Sequence, residues 1–368
     1  ADDLAASAVK LLRHTAAHSG ATAALPLLHR LQQHPLLSSS PSLRIAELEL
    51  THDLCLATGR TSQALHVCEQ LAAVATRHGL AHGEEHGAGH GGGQGGTEVD
   101  LELEAACRHV HTLTAASRFP QAASAAKALF TACCRHNRQL YHARCLLLMA
   151  ELHLVRHLRH LKAGSPAAAL PHALACASLA ARLHALLLQA TATLTAAEAT
   201  LALAPSACRP AAAESYVPGG DDGGGESSSG RECAVQALWL LDGVCLPVLL
   251  GQSGLTMRSR TLMLIALCHL ALLLPAGEFT THCFPFYFPK TSVPARVPAV
   301  LPLLEEAANG FQTMQELARE RDVRHLQALL CHVAEQPACR DAAARRFLEI
   351  TSALSTNAAC QGPLELLL

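Results

Sequence analysis

Four histidines, His78, His82, His86 and His90, recur every four residues. On one helix face that spacing would line up imidazoles for a zinc or nickel ion. The same stretch carries Gly79, Gly83, Gly87 and Gly89, and each glycine costs a helix about 1 kcal/mol relative to alanine. The sequence therefore predicts a loop with at most the weak metal affinity of a His-rich tract. His153, His157 and His160 fall among Arg156, Arg159 and Lys162, which reads as a basic helix end complementing the helix dipole. Gly87-Ala88-Gly89-His90-Gly91-Gly92 has the glycine spacing of a dinucleotide loop, but no strand precedes it and no helix opens on it. Gly251-Gln252-Ser253-Gly254-Leu255 falls one glycine short of a nucleophile elbow and also lacks a strand. Glu305-Glu306 and Glu84-Glu85 read as solvated faces or loops, not as a catalytic carboxylate pair. The sequence thus assigns no catalytic residue, no cofactor-binding residue and no metal ligand.

Cysteine is plentiful, with 15 in the chain, yet no C-x-x-C occurs. Cys133 and Cys134 are adjacent, which is not zinc-ligand spacing. Cys55, Cys68, Cys145, Cys176 and Cys268 sit singly on apolar faces, where a free thiol behaves as a small hydrophobe. Reduced thiols fit a protein of the cytoplasm or nucleus. The chain opens Ala1-Asp2-Asp3-Leu4 with neither a methionine nor a signal peptide, as a fragment or processed form would.

The elements that would carry these residues are helical hairpins. A run over Ser42–Ala57 meets the turn Thr58-Gly59-Arg60, and Ala64, Leu65, Cys68, Leu71 and Ala72 then share one face. Glu98–Asn137 repeats the plan with Ser117-Arg118-Phe119-Pro120 as its turn and Ala122, Ala126 and Leu129 after it. From Arg138 it returns again, with Ala143, Leu147 and Ala150 in the first helix and Ala169, Ala173 and Cys176 in the second. Apolar residues at i, i+3, i+4 and i+7 mark one buried face, and small residues there let helix axes approach to about 8–10 Å. Further helices are read at Asp3–His18, Ala21–His34, Leu187–Leu203, Cys233–Leu250, Met257–Leu274, Ala299–Leu317, Asp322–Glu335 and Ala338–Leu354. A unit of roughly 34–40 residues built this way is of the tetratricopeptide type, which must stack on neighbours to bury its face. The predicted fold is all-α, an α-solenoid of tetratricopeptide-like helical hairpins with flexible inserts.

Composition agrees. Of 368 residues, 50% are hydrophobic, 16% charged and 3% aromatic, so the apolar content lies in Ala, Leu and Val, mostly good helix formers. Net charge −2 and pI near 6.9 give no general attraction to nucleic acid or anionic membrane. Aromatics for base stacking are nearly absent from the helices. The apolar run Thr261–Leu274 is 14 residues long, short of the roughly 20 a membrane span needs. Three segments break the rhythm: a Gly/His-rich loop at 83–97, a Gly/Ser-rich loop at 205–231, and a Phe/Pro-rich insert at 275–298. The first two cannot bury enough apolar surface to offset ordering entropy and are predicted to be flexible. The third gathers Phe279, Phe284, Phe286, Tyr287 and Phe288; a docking loop, a lineage-specific insert and a mis-assigned exon all fit it. Hairpins then occupy 1–82, 98–204, 232–274 and 299–357.

Several helices resemble a known family. They are Ala143-Arg144-Cys145-Leu146-Leu147-Leu148-Met149-Ala150-Glu151-Leu152, the stretch from Ala168 to Ala180, and Leu246-Pro247-Val248-Leu249-Leu250-Gly251. The run from Met257 to Cys268 and Leu304-Glu305-Glu306-Ala307-Ala308-Asn309-Gly310-Phe311 continue the series. In order and spacing they are similar to the tetratricopeptide region of subunit 5 of the anaphase-promoting complex, or cyclosome. The alanine-rich helices and Gly/His inserts depart from the family pattern in the manner of GC-rich coding, as in a green alga. The resemblance implies a non-catalytic scaffold in a multi-subunit ubiquitin ligase that controls mitotic progression and exit. Its partners would be the other subunits of that complex, with no nucleic acid, membrane or small-molecule substrate, and it would work in nucleus and cytoplasm. The alternative is a free adaptor that binds short peptide motifs in its concave groove. Such grooves display Lys, Arg and Asn on first helices, where this sequence shows mainly Ala, Leu, Thr and His.

Overall fold

The computed structural model describes residues 2–19, 21–33, 41–83, 95–159, 166–207, 228–245, 255–273 and 297–361. Every regular element among them is helical, and 14 are α-helices. In chain order they are α1 (Asp2–Ser19), α2 (Ala21–Gln32), α3 (Pro41–Ala57), α4 (Thr61–Gly83), α5 (Gly95–Ala115), α6 (Phe119–Arg135) and α7 (Gln139–Arg159). There follow α8 (Pro166–Arg182), α9 (Leu186–Ala207), α10 (Ser228–Leu240), α11 (Leu255–Leu273), α12 (Val297–Thr313), α13 (Leu317–Val333) and α14 (Pro337–Gln361). The chain divides into two compact units between Arg156 and His157.

Within each unit consecutive helices pack on one another, and each core cluster draws on successive helices. In the first unit Val9, Leu12, Ala24, Leu28, Leu50 and Leu54 join α1, α2 and α3. Leu48, Val67, Leu71 and Ala105 join α3, α4 and α5, and Leu103, Leu129 and Cys145 join α5, α6 and α7. In the second unit Leu194, Ala237, Leu241 and Ile265 link α9, α10 and α11, while Leu270, Leu304, Phe311 and Leu326 link α11, α12 and α13. No helix could bury its stripe without its neighbours, which is the logic of stacked repeats.

Ala64, Ala122 and Ala169 are fully buried, as are Ala143, Ala150, Ala173 and Cys176. A methyl group at these crossings sets how closely two backbones approach. Gly310 goes one step further. A Cβ at this position on α12 would stand 1.9 Å from the Ser259 hydroxyl and 3.2 Å from its Cβ on α11. Gly310→Ala should therefore destabilise by about 1–3 kcal/mol despite alanine's better helix propensity. Ser259→Gly should recover most of that loss, and thermal melts of the two single variants and the double variant will show whether it does.

One turn joins six of the hairpins. Gly59, Ser117, Asn137, His184, Gln315 and Glu335 each take φ between 51° and 74°. In each, the amide after that residue donates to a carbonyl five residues back: Arg60 to Cys55, Arg118 to Leu113, Arg138 to Cys133, Ala185 to Ala180, Glu316 to Phe311 and Gln336 to Cys331. Only glycine takes that left-handed conformation freely, and asparagine is the next best suited. At the other four turns the packing of the flanking helices holds it.

Several boundaries differ from the sequence reading. The helix expected at Ala299–Leu317 ends at Thr313, and Leu317 instead opens α13, because Gln315 turns the chain at φ 57° without a Gly or Pro to announce it. Of the helix read at Cys233–Leu250, α10 stops at Leu240 and a π-turn, Leu241–Cys245, follows. There the Cys245 thiol donates to the Ala190 carbonyl at 3.1 Å. Helix α4 runs through His78 and His82 to Gly83 despite its glycines. Most of the three inserts, 84–94, 208–227 and 274–296, lies outside the described residues.

One helix that the sequence reading passed over as a membrane candidate has the length and apolarity for a span, Leu186–Leu203 of α9. Those properties have a second origin here. Ala192, Leu194, Ala196, Ala197 and Ala199 are all buried, with α8, α10 and α11 packed around the helix. Its one charge, Glu198, accepts from Arg260 at 2.6 Å.

Candidate functional site

The densest polar arrangement in the first unit lies along the first helices of its hairpins, α3, α5 and α7. Thr112 and His52 are buried, and His52 Nε2 lies 2.8 Å from the Thr112 hydroxyl, with Asp53 Oδ1 3.2 Å from Nδ1. On paper that is an acid, a base and a hydroxyl nucleophile in line. Each of the three is engaged in holding helices together. The Thr112 hydroxyl donates to the Arg108 carbonyl at 2.9 Å, and Arg108 Nη1 donates to Asp53 and stands 3.0 Å from His52 Nδ1. The cluster ties helices together.

From Arg108 the network continues as a ladder of charges. Its Nη1 donates to Asp53 at 2.5 Å and to the Glu49 carbonyl at 3.2 Å, and its Nε donates to Glu104 at 2.8 Å. Glu104 also receives both nitrogens of the Arg144 fork, Nη2 at 3.1 Å and Nη1 closer still. The side chains of Glu104 and Arg108 are each 13% exposed. Burial works against ionisation of Glu104, but the Arg144 and Arg108 guanidiniums outweigh it and hold the carboxyl below its ordinary range. Elsewhere in the unit Arg13 pairs with Glu49, and Gln32 on α2 donates to the buried Glu47 at 2.7 Å.

The second unit repeats the device. Arg260 on α11 pairs with Glu198 on α9. Thr256 donates to Glu316 at 2.9 Å, and Arg319 pairs with Glu316 and stands over the Phe311 ring. The fully buried Glu320 on α13 takes a two-pronged bond from Arg346 on α14, at 2.8 and 3.1 Å.

These charges were missed in the sequence, where the first helices read as mainly Ala, Leu, Thr and His. The four-residue spacing of Glu104 and Arg108 and the three-residue spacing of Glu316 and Arg319 were the local signals. Glu305 and Glu306 lie on an exposed face, as read, and also bridge helices: Glu305 to Arg324 and Gln327 on α13, Glu306 to Arg258 on α11. Glu84, Glu85, His86, His90, His160, the glycine run at 87–92 and the elbow-like stretch 251–254 lie outside the described residues. His153 is half-buried on α7. Among the described residues no group of three His, Cys, Asp or Glu stands close enough to hold a metal.

Cys55, Cys68, Cys145, Cys176 and Cys268 are buried, as expected for apolar faces, and Cys134 is exposed beside a buried Cys133. Burial pushes the thiols of Cys107, Cys145 and Cys268 up to about 12 and that of Cys133 to about 11. They are protonated at neutral pH and poor as nucleophiles or metal ligands. A groove of about 340 Å³ between α5 and α6 is lined by Val99, Leu103, Ala125, Leu129 and Ala132, with Glu102, His109 and His136 among its polar residues.

No protein-family model matches the chain. It is similar to the Arabidopsis thaliana protein named anaphase-promoting complex subunit 5, at 29% identity over 170 residues. That alignment covers 46% of this chain and 16% of the plant protein, so the chain spans a small part of that relative's length. That similarity agrees with the resemblance of its helices to subunit 5 of the anaphase-promoting complex.

Proposed function

We propose that this chain is a non-catalytic scaffold segment of an anaphase-promoting-complex-type ubiquitin ligase. The observation that carries the reading is the similarity to the plant subunit in a chain whose helices stack as successive hairpins. The ladder supports it. Arg108, Arg144, Arg260 and Arg346 each hold a carboxylate of their own chain, so they are not free for a peptide's carboxylate, as an adaptor's groove residues must be. Exposed Leu140, Leu174, Leu187, Trp239 and Leu348 add apolar side chains to the surface, of the kind that lasting interfaces cover. The partners would be the other subunits of the ligase, met in nucleus and cytoplasm, with mitotic progression and exit as the process served.

The test is affinity purification of the tagged chain at its native expression level. The expected result is stoichiometric recovery of cyclosome subunits, and depletion should arrest cells before anaphase with mitotic cyclin undegraded. A chain that purifies as a monodisperse monomer, ignores those subunits and binds short peptides at micromolar affinity would establish the adaptor instead.

A further inference from the structure

Helix α10 and the π-turn that extends it have two unlike faces. Ala234, Ala237, Leu241 and Cys245 fall at i, i+3, i+7 and i+11 and are buried, and the last three pack into the core shared with α9 and α11. Glu232, Val235, Gln236, Trp239, Asp242 and Gly243 fall on the opposite side, and all six are exposed. Trp239 is the only tryptophan in the chain. It is 67% exposed, with Val235 54% exposed one turn before it. A solvated helix face carries polar side chains along its length, whereas here the charges stand only at the two ends.

Those end charges are open. Glu198, Glu306, Glu316 and Glu320 of the same unit each hold an arginine. Glu232 and Asp242 have no ion-pair partner among the described residues, and the run from Glu232 to Cys245 contains no Lys, Arg or His. At Gly243 an added Cβ would meet nothing within 4 Å, so another backbone can come close at that end.

We infer that this face docks one amphipathic helix of a partner chain, with apolar residues over Val235 and Trp239 and two Lys or Arg side chains, about 15 Å apart, against Glu232 and Asp242. The spacing of Val235 and Trp239 matches the ridges of a second helix. An indole buries about 150–250 Å² when covered, and tryptophan is among the residues that most often dominate an interface. The flanking carboxylates select the sign of the partner's charge and set its register. They also disfavour a second copy of the same face, which would bring Glu232 and Asp242 against carboxylates. Such a helix can belong to a subunit of the proposed ligase or to another protein, so this surface and that reading stand or fall separately.

The test puts photoreactive benzoylphenylalanine in place of Trp239 in the full chain at native expression level, irradiates, and sequences the cross-linked peptide. The expected product is a helix of another chain with two basic residues about ten positions apart. That helix, synthesised without tryptophan and titrated into the wild-type chain, should move the Trp239 emission to shorter wavelength. By calorimetry Trp239→Ala should weaken binding about 30-fold or more, and Glu232→Lys with Asp242→Lys about tenfold or more, both with helicity unchanged by circular dichroism. A peptide with its two basic residues changed to Glu should regain affinity for the double-lysine variant. The proposal is overturned if the cross-link falls on an acidic or uncharged surface, on a second copy of this chain or on this chain's own residues 205–231 or 275–298, or if no cross-link forms. A basic helix from a protein outside the cyclosome would uphold the surface and count against the ligase reading.

Discussion

Ala122→Arg is expected to unfold the first unit. Ala122 is fully buried on α6 among Leu113, Phe119 and Leu152, with Leu65 and Val155 packed against them. These come from four helices, so an inserted guanidinium would push several backbones apart and find no carboxylate. Overpacking costs about 1–3 kcal/mol and an unpaired buried charge about 3–5 kcal/mol, against a stability of about 5–15 kcal/mol for a typical domain. Ala123 is exposed on the same helix, and Ala123→Arg should melt like the parent. Equal melting of the two variants would mean that the α6 face is assigned to the wrong side.

Removing Glu104 should come next in effect. Glu104→Ala leaves Arg108 and Arg144 facing each other across the space of the lost carboxylate, and breaking a buried pair in this way costs about 3–5 kcal/mol. In the Glu104→Ala background, Arg144→Ala should cost far less than it does alone, because its partner is already gone. Coupling below about 0.5 kcal/mol in that double-mutant cycle would show the two sites to be independent. The pH dependence has a defined sign. Glu104 holds its proton less tightly folded than unfolded, so acid favours the unfolded chain. The carboxylate's contribution is complete above its unfolded value of about 4.3 and fades as pH falls through the lower folded value. Glu104→Gln should flatten that part of the acid-denaturation curve.

The contrast between these two residues separates what is local from what is not. Ala122 was legible because helix periodicity acts over a few residues: an alanine at i, followed by apolar residues at i+4 and i+7, marks a crossing whatever lies beyond it. Ala64 and Ala169 were legible for the same reason. Glu104 was not, since its worth rests on Arg144, 40 residues away. Asp53 and Arg108 are 55 residues apart, and Glu198 and Arg260 are 62 apart. Nothing in a single sequence marks such partners. The Asp53, His52 and Thr112 cluster shows the converse, since three catalytic residue types meet where the Arg108 side chain and carbonyl engage them in tying helices together.

The turns divide along the same line. Gly59 could be read from the sequence because glycine enters the left-handed region at no cost. Gln315 and Glu335 take that conformation as well, at a cost of about 1–2 kcal/mol each, which the helices packed on either side more than offset. The sequence by itself determined that this chain is helical, which faces are apolar and where small residues must lie, because propensity and periodicity are short-range. Only the tertiary structure decided where α12 ends and which carboxylate each arginine holds, because those follow from contacts between helices.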